Sequence, residues 1–142
     1  METLDRFLPN GLLVVFAGLL CWGLLGLLEY ALPSAKLGLQ DSSFPAGLQF
    51  LHFFALVLTG AIFVFGYLTQ WPHTPFATIT MYAVLATLCF IETIDFGAFG
   101  GGTTGVMILI AEFALYLGLS TYLLRSDRIK SRFHAGSPAN DF

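Results

Sequence analysis

Charge is what this 142-residue chain has least of. Lys, Arg, Asp and Glu together make up 11% of it, less than half of the roughly 25% usual in a soluble domain, which points to a membrane protein. Four of the six basic residues are crowded between Arg125 and Arg132, leaving no face that could neutralise a run of nucleic-acid phosphates. Nucleic acid is therefore excluded as a partner.

Cysteine is almost as scarce. Cys21 and Cys89 both lie inside apolar runs, without a CxxC or a Cys/His zinc spacing, and read as small buried hydrophobes that say nothing about redox compartment. Catalytic signatures are missing too: there is no GxSxG, no P-loop and no dinucleotide fingerprint. The run Gly100-Gly-Gly-Thr-Thr-Gly105 lacks the lysine and the preceding strand that phosphate binding needs. Its glycines read as a compact turn. No Glu-x-x-His pair occurs, so the best-attested pattern of carboxylate-bridged metal bundles is absent. His52 is the one histidine inside an apolar run, which excludes a haem held by two histidines of one chain. No catalytic residue and no cofactor is specified.

Apolar sequence is what the chain has in abundance. Gly11–Leu28 runs for 18 residues without a charge, close to the roughly 20 residues that cross a bilayer at about 1.5 Å each. The expected spans are about 11–32, 46–68, 77–96 and 104–124. Pro33 stops the first, and Thr69–Pro75 forms a turn in which two prolines forbid continuous helix. Trp71 sits where an interfacial anchor belongs. The leader, with Glu2 and Asp5 against Arg6, lacks the positive n-region of a signal peptide. After Arg125 the chain reads as a basic, then polar, flexible tail over 125–142.

Four spans place both termini on one side. Arg6, Arg125, Arg128, Lys130 and Arg132 stand on that side against Lys36 on the other, so the positive-inside rule makes both termini cytoplasmic. The inverted arrangement would put nearly every basic residue outside. The expected fold is an all-α, up-down-up-down bundle of four transmembrane helices forming one domain over 1–124, in a bacterial-type inner membrane. Gly23 and Gly26, Ala83 and Ala86, and Ala114 and Gly118 offer small faces for close helix contact.

Depth and helical period then sort the polar residues. Glu29 and Asp95 fall near the outer interface, where a carboxylate can simply be solvated. Gln49, His52 and Glu92 lie somewhat deeper, and Glu112 lies near the midplane. Cys89, Glu92 and Asp95 share one stripe, Gln49, His52 and Thr59 a second, and Glu112, Tyr116 and Ser120 a third. Turned inward, these stripes line a polar cup open to the outside. A carboxylate as deep as Glu112 has to be protonated, paired or hydrated.

Three roles fit such a cup. The leading one is non-enzymatic: a subunit, assembly or partner-binding component that meets lipid, other membrane subunits or a second copy of itself. The next is a proton- or cation-coupled transporter or relay centred on Glu112 and fed through Glu92, Asp95 and His52, with Glu29 and Gln49 near the rim. The third is a metal site of His52, Glu92 and Glu112, with Asp95 or Glu29 as further donors. The last two require His52, Glu92 and Glu112 to converge.

Overall fold

The computed structural model describes residues 2–32, 34, 37–39, 45–96 and 102–134. Five helices account for the regular structure of these residues: α1 (Glu2–Ala31), α2 (Ala46–Thr69), α3 (Thr74–Phe96), α4 (Gly102–Arg125) and α5 (Asp127–His134). The first four each contain a stretch long and apolar enough to cross a membrane.

Helix and span are different quantities, and α1 shows it. The apolar stretch is Leu8–Ala31, close to the expected span, but the helix begins at Glu2 and carries Pro9 inside it. A proline there removes one backbone hydrogen bond. The polar residues before Gly11 therefore continue the helix instead of forming a separate lead.

Helices α1 and α2 pack closely on each other. Phe16 stacks on Phe63 with ring centroids 4.2 Å apart, and further along the pair Gly23 meets Phe53 and Val57. A Cβ on Gly23 would sit 2.9 Å from the Phe53 carbonyl, and one on Gly60 would sit 2.7 Å from the Leu20 nitrogen and the Phe16 carbonyl. Each helix thus gives up a side chain where the other's backbone arrives, which is how spans gain packing when lipid offers no hydrophobic drive.

Between α2 and α3 the turn is shorter than the expected Thr69–Pro75. Gln70 takes a left-handed φ of 56° and closes α2, and Trp71 N–H donates to the Gly66 carbonyl at 3.0 Å. Thr74 packs against Gly66 and its hydroxyl donates to the Trp71 carbonyl at 2.6 Å. Pro75 then stands in the first turn of α3, where its missing N–H costs nothing. Similarly α4 opens at Gly102, whose φ of +58° suits a residue without Cβ; residues 97–101 of the glycine-rich turn lie outside the described residues.

The basic segment after Arg125 begins with α5 and folds back under the bundle. Ile129 and Phe133, four residues apart, are buried in one cluster with Phe16, Phe63, Tyr67 and Leu123. Arg132 lies 3.7 Å from the centroid of the Tyr67 ring, and the Tyr67 hydroxyl donates to Asn10 at 2.8 Å. Residues 127–134 were expected within a flexible tail. Charge dominated that expectation, whereas the apolar pair at helical spacing decides the structure.

Candidate functional site

At the opposite end, three helices bring their polar stripes together. His52 lies about 9 Å into α2 from Ala46, while Glu92 and Cys89 lie about 6 Å and 10 Å from the end of α3 at Phe96, taking about 1.5 Å per residue. The contact between His52 and Glu92 puts these positions level. The Nδ1 atom of His52 is 2.9 Å from both carboxylate oxygens of Glu92. One ligand atom from each of His52, Cys89 and Glu92 lies within 4.8 Å of the other two. Cys89 and Glu92 are buried and His52 is half-buried.

Glu112 supplies the fourth side. It lies about 15 Å into α4 from Gly102 and is half-buried. Its side chain stands near Cys89, His52 and Glu92, outside the three residues whose ligand atoms lie within 4.8 Å of one another. One turn deeper, Tyr116 packs on Tyr82 with ring centroids 5.6 Å apart. This aromatic pair forms a floor beneath the polar groups.

The remaining candidates sit elsewhere. Glu29 is buried, and its two oxygens accept the N–H groups of Gly38 and Leu39 at 2.8 Å each. The φ of +74° at Gly38 lets two successive amides face one carboxylate, an anion-holding nest. Glu29 thus ties down its loop and does not join the cup. Asp95 is exposed on the last turn of α3, and Gln49 is half-buried one turn before His52. The buried Thr59 hydroxyl donates to the Ala55 carbonyl of its own helix at 2.7 Å, a local bond that takes it out of the site.

Cys89 is the member that sequence reasoning missed. Its place on the Glu92 stripe was visible, but a cysteine in an apolar run is ordinarily a packing residue. What changes its meaning is His52 and Glu112, on two other helices. The chemistry of the group is a mixed nitrogen, sulfur and oxygen donor set, arranged around one point inside an apolar bundle. No known protein family, curated protein or solved structure matches the chain, so its function has to be argued from these side chains.

Proposed function

We propose that this protein is a non-enzymatic multi-pass membrane component that binds a cation in a cup between α2, α3 and α4. In this reading the four spans run up-down-up-down, both termini are cytoplasmic in a bacterial-type inner membrane, and the cup opens outward. The observation that carries it is the convergence of His52, Cys89 and Glu92 within 4.8 Å. Buried polar groups at membrane depth are costly and usually serve a ligand or a pathway. The tyrosine floor favours binding over through-conduction.

The test is the thermal unfolding midpoint of the purified chain in detergent across a panel of monovalent and divalent cations. A ligand at 100 times its Kd stabilises the folded state by about 2.7 kcal/mol. At least one cation should raise the midpoint of the wild type and not that of a Glu92→Gln/Glu112→Gln double variant. If none does, the cation reading is wrong.

A partner-docking role is favoured by a different observation. Of the α4 residues, Gly105 and Leu123 are the buried ones, and Met107, Ile110, Leu115 and Leu117 are all at least 60% exposed. Mild extraction followed by mass spectrometry should then recover a bound membrane protein. A clean monomer in lipid nanodiscs would count against it.

A further inference from the structure

We propose that the ligand of the cup is a divalent transition ion of the zinc class, held by the His52 imidazole, the Cys89 thiolate and the Glu92 carboxylate, with water in the fourth position. This rests on the cation reading above and narrows it to one chemical class.

Donor chemistry supplies the first argument. Calcium takes six to eight oxygens, and magnesium wants an octahedron of oxygen and water. One nitrogen, one sulfur and one carboxylate suit neither. Thiolate with imidazole is the province of zinc and its neighbours, and four mixed ligands match the tetrahedral geometry zinc adopts.

Distance supplies the second. Zinc bonds of about 2.0–2.1 Å to nitrogen and oxygen and about 2.3 Å to sulfur put neighbouring tetrahedral ligand atoms about 3.3–3.6 Å apart. The His52–Glu92 separation is 2.9 Å and every pair among the three residues lies within 4.8 Å. Seating an ion therefore needs shifts of about 1 Å or less, within reach of rotamer adjustment.

Charge supplies the third. A neutral imidazole with one thiolate and one carboxylate carries two negative charges, which cancel those of a divalent ion and leave the centre neutral. In a low-dielectric interior that balance decides strongly between ions. A monovalent ion would leave a net negative site and a trivalent ion a net positive one. As the Sγ–metal bond forms, the Sγ–H bond breaks and the proton is released to the medium, as metal binding by a thiol requires.

The experiment uses the full-length chain in detergent, stripped of metal and titrated with cobalt(II), then competed with zinc. Cobalt(II) on a thiolate gives a sulfur-to-metal charge-transfer band. The expected result is that this band saturates at one cobalt per chain and is displaced by zinc. Cys89→Ser should abolish it, while Cys21→Ser, altering the exposed cysteine on α1, should leave it intact. His52→Gln should weaken zinc binding by more than the roughly 10–100-fold typical of losing a supporting partner, with helicity and elution volume reporting whether each variant folds. Absence of the band, or its survival in Cys89→Ser, overturns the proposal. If the band is absent while magnesium, calcium or sodium still raises the unfolding midpoint, the zinc-class assignment falls and the cation reading stands; if no cation acts, both fall.

Discussion

The His52 Nδ1 atom stands 2.9 Å from each carboxylate oxygen of Glu92, across an interface between α2 and α3 and 40 positions along the chain. Glu92 is buried, so removing His52 would leave its carboxylate without water to replace the lost partner. An unsatisfied buried polar group costs about 1–3 kcal/mol.

His52→Leu should accordingly lower stability by about 1–3 kcal/mol, read from the denaturation midpoint in a fixed detergent. The double variant His52→Leu/Glu92→Leu should recover most of that loss, because removing both partners leaves nothing unpaired. Additive losses would show that the two side chains are energetically independent.

Close packing of α1 on α2 makes a sharper comparison. Gly60→Ala places a methyl 2.7 Å from backbone atoms of Phe16 and Leu20, which only a separation of the helices can relieve, and overpacking of this kind costs about 1–3 kcal/mol. Gly18→Ala, on the same hairpin with nothing within 4 Å, should be neutral or gain up to about 1 kcal/mol from helix propensity. Equal unfolding midpoints for the two variants would refute the close contact.

The loop clamp is testable without unfolding the protein. Glu29→Ala removes the acceptor of the Gly38 and Leu39 amides and should raise their hydrogen-exchange rates at least 10-fold, since losing about 1.4 kcal/mol of local protection is a factor of ten. Glu29→Gln keeps one acceptor oxygen and should fall between. Metal or cation binding at the cup should be unchanged in both.

At the other end, Arg132→Gln removes a cation over the Tyr67 ring, an interaction worth about 0.5–2 kcal/mol. Trypsin should then cut after Arg128 and Lys130 faster than in the wild type. Tyr67→Phe keeps the ring but loses the bond to Asn10, and should give a smaller increase. Unchanged cleavage in Arg132→Gln would mean that α5 is held by Ile129 and Phe133 alone.

Hydrophobic runs made the spans readable, because lipid-crossing length leaves a signal of many residues. Helix boundaries were less so. Pro9 and Gly102 are exceptions whose effect depends on a single hydrogen bond or a single φ. Of the site, His52, Glu92 and Glu112 stood out because polar groups in apolar runs are conspicuous. Cys89 did not, since only its neighbours on α2 and α4 distinguish a ligand from a space-filler. Glu29 looked like a solvated carboxylate because its two amide donors lie in a loop with no regular period. For α5 the obstacle was similar: its apolar pair is brief, and four basic residues around it mask the pattern.

Helix α4 is anchored chiefly at its two ends, through Gly105 near one and Leu123 at the other, whereas α1 and α2 interlock along their length. Chains emerge from the ribosome N-terminus first at about 5–20 residues per second, so the α1–α2 hairpin can close before Glu112 has been translated. Assembly of the cup then has to wait for α4. A chain truncated before α4 would keep His52, Cys89 and Glu92 but offer them to lipid on one side.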